Sequence, residues 1–510
     1  MRRAWAPTLV WMLIGAHAAL FAGLSVARHR AYATGRFDLG NMVQAVWSTA
    51  HGRFLESTDV SGAQFSRLGA HVDPVLALFA PLYMVWSSPE ALLVAQAVIV
   101  ALGALPAFWL GRRWLGDDRL AVAGAAVYLL YSPLQFATLF DFHPATLAAP
   151  LLMFCIWAAE EARWWTLGVC ATLTALCQEQ MGLALVMIAL WLAVRHPGRR
   201  VAAGVLASAA AVWVAVATIV IIPAFSVAGG NPHTARYRAL GGEGSDVAVT
   251  LVTRPWEALG VMATPGRAAY LAVLILPLLG LCLLAPLLAA GALPQLLVNL
   301  LAGDGPAQTI EFHYAAGISP FLVAAAILGL ARLREMRVPA RLGRLLAHPP
   351  ALAAVVVGAV ALAGVPLGPL PFWGGVPGAW SGAPHHAFTA DAQSRALAKA
   401  VAMVPEGVPV AASNNVAAHL SDRRRVYLFP VVRNARWIVV SDGGRASRTV
   451  ALRKTLRGPK HAERLLVVER DPAWRLVMEG PGVKVFRRRP ERQAAQASAE
   501  PVDPAPAPAA

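Results

Sequence analysis

Apolar runs alternate with short polar breaks along most of the chain. They fall at about 8–27, 90–110, 119–133, 144–160, 200–223, 267–283, 285–302, 313–331 and 350–367. Each is long enough, or nearly so, to cross a bilayer as a helix. A further block, Thr166 to Val194, exceeds one ordinary span and carries Gln178-Glu179-Gln180 at its middle. Two short helices with that polar turn at the membrane face suit it better than one helix holding Glu179 in lipid. The pattern therefore predicts a polytopic α-helical membrane protein of about eleven spans. His71–Trp86 is also apolar, but Pro74, Pro81 and Asp73 favour a helix lying at the interface.

Periodicity changes after His386. A helical pattern over Asp391–Val404 is followed by the β-rich runs VPVAAS, RRVYLFP, RWIVVSD and RLLVVER and a hairpin-like WRLVMEGPGVKVFRR. This alternation predicts a small α/β domain over 386–490, beside a membrane domain over 1–385. Residues 491–510, rich in Ala, Pro and Gln, read as a disordered tail. No internal repeat is evident.

Composition agrees with the membrane reading: of 510 residues, 57% are hydrophobic and 14% charged. The net charge of +16 does not point to nucleic acid, because the basic residues form short clusters between apolar runs. The four cysteines all lie in apolar segments and form neither a disulfide framework nor a zinc pattern. The N-terminus resembles a signal peptide but leads into RHRAYATGR without a small-residue cleavage site, so it reads as an uncleaved first span. Placing the arginine-bearing loops 112–119, 160–165, 195–200 and 332–344 in the cytoplasm puts the N-terminus inside. Arg28, Arg30 and Arg36 count against that orientation. The outer side of the cytoplasmic membrane then receives loops 28–89 and 224–266 and everything after about residue 368.

Sorted this way, Asp38, His71, Asp73, Asp141, His143, Glu179, Glu311, His313 and Tyr314 share one face although they come from five loops. Simpler roles exist for each. Asp38 suits the N-cap of a helix from Leu39, Pro144 opens a helix after a turn, and His313-Tyr314 suits an interface anchor. A reaction would give Asp38 and Asp141 the parts of general base and ligand to a divalent cation, Mg or Mn. Arg36, Arg236 or Arg238 could pair with phosphate oxygens, with His143 or His313 helping or orienting the base. The long segment 224–266, with its paired glycines, suits a loop over a site. Asp117, Asp118, Glu160 and Glu161 sit beside arginines and read as solvated loop.

FDLGNMVQAVW, LGAHVDPVLALFAPLY, LFDFHPATLAAPLL, CQEQMGLALVMIAL and EFHYAAGISPFL occur in that order, with VPVAASNNVAAHLSDRRRVYLFP later. Over about residues 8–490 the chain resembles a family of prokaryotic membrane proteins classed as a domain of unknown function. The layout is also similar to the type C glycosyltransferase superfamily. Its members carry an acid in the first outer loop and polar residues in the second, and use a polyprenyl-phosphate-linked sugar. That likeness implies Asp38, Asp141, His143 and Glu179 as catalytic residues, and transfer of the sugar to an extracytoplasmic acceptor. Arg36, Gln44, His71, Arg236, Arg238, His313 and Tyr314 are then expected to bind substrate. The chain departs from the pattern in lacking an acidic pair after Asp38, and in having Gln178-Glu179-Gln180 where relatives often show Lys-Glu-Asp. A transporter or flippase of a lipid-linked or anionic substrate, or an envelope assembly or sensor protein, are the alternative readings.

Overall fold

The computed structural model describes residues 5–227, 234–241, 244–303, 305–371, 387–441 and 459–490. Every apolar run is helical. The first elements are α1 (Trp5–Arg30), α2 (Asn41–Ala50), α3 (Ala80–Val85), α4 (Pro89–Leu102), α5 (Ala104–Leu115), α6 (Asp118–Leu130), α7 (Ser132–Leu139), α8 (Pro144–Glu160), α9 (Trp164–Cys177), α10 (Met181–Arg195) and α11 (Arg200–Ala215). Asp117 caps α6 through the Arg119 amide at 2.8 Å, and Ser88 caps α4. Sequence neighbours pack as antiparallel pairs: α5 on α6, α8 on α9, α10 on α11. Helix Ser319–Glu335, buried from Ser319 to Leu330, lies against α5 and α8.

Among the described residues four helices are long and apolar enough to span a bilayer, Trp5–Arg30, Pro89–Leu115, Pro197–Phe225 and Pro349–Leu367; counting each bent pair as one span gives up to six. Of the rest of the expected set, α8, α9, α10 and Pro286–Leu301 are shorter apolar helices of 10–17 residues. Along 197–225, Val201, Val205, Val212, Ile219 and Val220 are exposed, which suits a lipid-facing surface. α9 and α10 break at Gln178–Gln180, and Pro74–Val85 forms only a 3-10 turn running into short α3.

One end of the bundle gathers the arginine-bearing loops. Arg112 pairs with Asp118 at 3.1 Å and Arg113 with Glu161 at 3.5 Å. Arg334 donates to the Leu115 carbonyl at 2.8 Å, and Arg199 to the carbonyls of Ala159 and Glu160.

The C-terminal part is a five-stranded sheet of order β4-β3-β5-β7-β6. Its strands are β3 (Val410–Ala412), β4 (Val426–Leu428), β5 (Trp437–Ser441), β6 (Trp474–Gly480) and β7 (Val483–Arg488). β3 pairs in parallel with both β4 and β5, and β7 runs antiparallel to β5 and β6. Helix Ala392–Ala402 starts on a reciprocal Asp391–Ser394 capping box. RLLVVER is not a strand but part of helix Pro459–Arg470. Leu465 and Val468, three apart, pack on the sheet while Leu466 and Val467 face outward, so the spacing is helical despite the β-branched residues. A small hairpin, β1 (Glu56–Thr58) with β2 (Gln64–Ser66), bridges to this domain through an Arg424–Glu56 ion pair at 2.9 Å. The expected tail at 491–510 and much of the glycine-rich part of loop 224–266 lie outside the described residues.

Candidate active site

Asp38 lies in a single π-type turn, Arg36–Gly40, between Gly35 and α2. It caps neither that turn nor α2. Its Oδ1 instead meets Nε2 of His143 at 3.0 Å. His143 stands just before Pro144, which opens α8 as the first helical residue. The other ring nitrogen, Nδ1, lies 3.1 Å from the Phe140 carbonyl. A carbonyl can only accept, so Nδ1 is the donor of that bond, while Nε2 faces the Asp38 carboxylate.

The His143 ring stacks on His313 with centroids 3.7 Å apart, and Tyr314 and Phe140 extend the stack. Burial, reinforced by the neighbouring cationic groups, holds His313 well below the usual histidine range. Its Nδ1 is buried without a hydrogen-bond partner. His313 thus presents its ring face to that of His143.

The loop under His143 is held by Gln96 of α4. Its amide donates to the carbonyls of Thr138 and Asp141 at 2.9 and 2.7 Å, and its oxygen accepts the His143 N–H at 2.9 Å. Asp141 adopts a left-handed φ of 48°. Its Oδ2 accepts the Gly35 amide at 2.8 Å, and Arg28 faces Oδ1 at 3.8 Å. Burial pushes Asp141 up to about 6, against Arg28 and with help from the Asp38 charge. Asp141 therefore lies beneath the Asp38 turn and ties it down.

A second carboxylate–imidazole pair lies alongside. Glu179 meets His71 Nδ1 at 3.0 Å and accepts the Val72 amide at 3.0 Å. Burial alone would raise Glu179, yet the His71 charge and these hydrogen bonds outweigh it and bring it to about 2. Arg67 and Asp73 form a buried ion pair at 2.7 Å close by. Gln180 donates to Gln295 at 2.8 Å, Gln295 to Asn299 at 2.9 Å, and Asn299 to the Tyr314 carbonyl at 3.1 Å. That amide chain joins the Glu179 turn to the histidine stack.

The structure thus brings together Asp38, Asp141, His143, His71, Glu179, His313 and Tyr314. Arg236, exposed at the rim, acts on Tyr314 by charge and a hydrogen bond, while Arg238 is exposed on the same turn, Thr234–Leu240. Two expected substrate contacts are not available. Arg36 is 1% exposed, donating to Asn41 at 2.9 Å and to the Thr58 carbonyl, because it folds back under its own turn. Gln44 is equally buried, bonded to Thr58 and to the carbonyls of Arg423 and Arg424. Its place on the helix face meets the C-terminal domain and not a cleft. The donor set also fails to fit a divalent cation. Asp141 is committed to Gly35 and opposed by Arg28, and among the described residues no group of three His, Cys, Asp or Glu converges on one point. Gln96, Arg67, Asn299 and Arg28 were missed. Gln96 and Asn299 each left a signal, as an amide inside an apolar run.

No curated protein matches the chain. Among solved structures it is similar to ArnT from Cupriavidus metallidurans in the apo state, with a TM-score of 0.51 and 15% identity over 94% of this chain and 98% of that one. ArnT bound to undecaprenyl phosphate gives 0.50 and 13% over 93% and 97%. The oligosaccharyltransferase AglB from Archaeoglobus fulgidus, with an inhibitory peptide and a dolichol-phosphate, gives 0.48 and 11% over 86% and 70%. At such identities the likeness to ArnT is one of fold alone. The sequence model of a membrane-protein family matches residues 28–485, from the arginine that faces Asp141 to the last strand of the sheet, and the chain belongs to that family, the predicted membrane proteins DUF2079.

Proposed function

We propose that the protein transfers a sugar from a polyprenyl-phosphate carrier to an acceptor outside the cytoplasm, with inversion at the sugar carbon. The observation that carries this reading is the meeting of the Asp38–His143 and His71–Glu179 pairs at one end of the bundle, opposite the arginine-bearing loops. Positive charge favours the cytoplasm, which puts the acid-bearing end and the C-terminal sheet outside. The ArnT fold, seen in that protein with undecaprenyl phosphate bound, supports a carrier lipid of this class.

Asp38 is the base. Its side chain is 24% exposed, and Oδ1 is engaged by His143 while Oδ2 faces outward. Oδ2 takes the proton of the acceptor hydroxyl as that oxygen bonds the sugar carbon, and the carbon–oxygen bond to the carrier phosphate breaks on the opposite face. His143 fixes the carboxylate through its Nε2 contact. His71, held by Glu179, and Arg236 at the rim receive the departing phosphate by charge-assisted bonds.

Asp38→Asn keeps the shape and removes the base. In membranes supplied with undecaprenyl-phosphate-linked hexoses, release of undecaprenyl phosphate should fall by roughly 10²–10⁴-fold. Unchanged turnover in a folded, inserted variant would rule Asp38 out as the base.

A further inference from the structure

The C-terminal sheet has an unusual neighbour at its most ligand-ready point. From β3 the chain goes to β4 on one side and then crosses to β5 on the other, so the strand order reverses at β3. Open α/β sheets ordinarily take ligands in the crevice at the carboxyl ends of the strands beside such a reversal. Here the residues just beyond β3, Ser413 and Asn414, are buried. What fills the crevice is the Asp38 turn. Oδ1 of Asn414 accepts the Phe37 amide at 3.1 Å, one residue before the acid.

The fit leaves no space for side chains on either side. A Cβ on Gly35 would lie 2.7 Å from Asn414 Nδ2, and one on Gly40 would lie 2.7 Å from Ser421 Oγ and 3.2 Å from the Ala418 Cα. Both glycines bracketing the acid are points of close approach by the C-terminal domain. Around them, Gln44 holds the Arg423 and Arg424 carbonyls, and His419 is stacked on His29 and Tyr32 at 3.8 and 3.9 Å. On the membrane side the same turn is tied by the Gly35–Asp141 bond.

We infer that the C-terminal domain completes the active site as a clamp, with Asn414 a positioning residue that sets the Asp38 carboxylate against His143. The inference rests on Asp38 being the base. A turn gripped on two sides keeps its acid within reach of one acceptor geometry, and loosening either grip costs rate more than binding.

The test compares Asn414→Leu, which removes the acceptor, with Asn414→Asp, which keeps it, in the full-length protein. Hydrogen exchange of the peptide containing residues 35–41, read by mass spectrometry, needs no substrate. Exchange there should quicken in N414L and stay near wild type in N414D. With undecaprenyl-phosphate-linked hexoses as donor, kcat of N414L should fall roughly tenfold or more with KM unchanged, and N414D should regain part of it. Wild-type exchange and kcat in N414L, with Asp38→Asn inactive, would overturn the clamp and leave the base in place. An Asp38→Asn protein as active as wild type would remove the ground for both.

Discussion

At the arginine-bearing end, Glu160 receives His196 at 2.9 Å on one oxygen and the Trp114 indole at 2.9 Å on the other, with Arg195 at 3.8 Å. At the opposite end, Asp38 receives only His143, at 3.0 Å. Both are carboxylates against an imidazole between helices. The Glu160 side chain is 2% exposed and both its oxygens are occupied, whereas that of Asp38 is 24% exposed with Oδ2 open. The difference teaches that an acid and a histidine in contact do not by themselves make a reaction centre. A carboxylate saturated with donors is cement between loops. One with a free oxygen facing outward can accept a proton.

The sharpest way to break this contrast is to delete the imidazole at each end. His143→Phe should lower the proposed sugar transfer by roughly 10²–10⁴-fold, because the Asp38 carboxylate loses its orienting partner. His196→Phe should leave turnover per folded molecule within about twofold, and cost stability on the order of 1–3 kcal/mol through the unsatisfied Glu160 oxygen. Equal rate losses in the two variants would show that the contrast in exposure has no catalytic meaning.

A middle-sized effect is expected within the acid-bearing end itself. Arg67 and Asp73 are both buried, at 2.7 Å, and Asp73 Oδ1 has no hydrogen-bond partner. Arg67→Met leaves the buried Asp73 without its ion-pair partner, between the favourable His71 and the unfavourable Glu179, and should destabilise the protein by about 3–5 kcal/mol. The double variant Arg67→Met/Asp73→Leu should recover most of that loss, since the desolvation cost of both charges disappears. Thermal unfolding in detergent reads both. A double variant no more stable than the single one would show that the pair does more than neutralise itself.

Much of the site could be read from the chain before any coordinates. Asp38, Asp141, His143, Glu179 and His313 stand out as ionisable residues at the ends of apolar runs, and charge parity puts them on one side. What parity cannot supply is partner choice. Arg36 looks available for phosphate because it precedes the acid, but the π-type turn folds it back onto Asn41 and Thr58. Gln44 shares a helix face with apolar residues, and only the position of the C-terminal sheet shows that the face is an interface. Asn414 lies far along the chain from Phe37, and no local pattern connects them. RLLVVER misleads for another reason: β-branched composition suggested a strand where burial at every third residue made a helix.

The smallest expected effect concerns Asp141, which separates holding the base from acting as one. Its carboxyl is pushed up to about 6 from 3.8, chiefly by burial. A raised carboxyl stabilises the fold fully below its unfolded value, and that contribution is lost as pH rises through the folded value. Wild type should therefore lose about 2 kcal/mol through this group between pH 4 and pH 7. Glu179 works in the opposite direction, but at lower pH, because its folded value of about 2 lies below the usual 4.5. Asp141→Asn keeps an oxygen for the Gly35 amide and has nothing to ionise. Melting temperatures measured from pH 4.5 to 7.5 should diverge, with the variant gaining on wild type as pH rises. Because Asp141 holds the turn from below and does not meet the acceptor, the same variant should retain transfer within roughly tenfold. Parallel melting curves would mean that Asp141 is not held as a buried, half-compensated acid. A loss of transfer as deep as that of Asp38→Asn would move Asp141 from holding the base to sharing its chemistry.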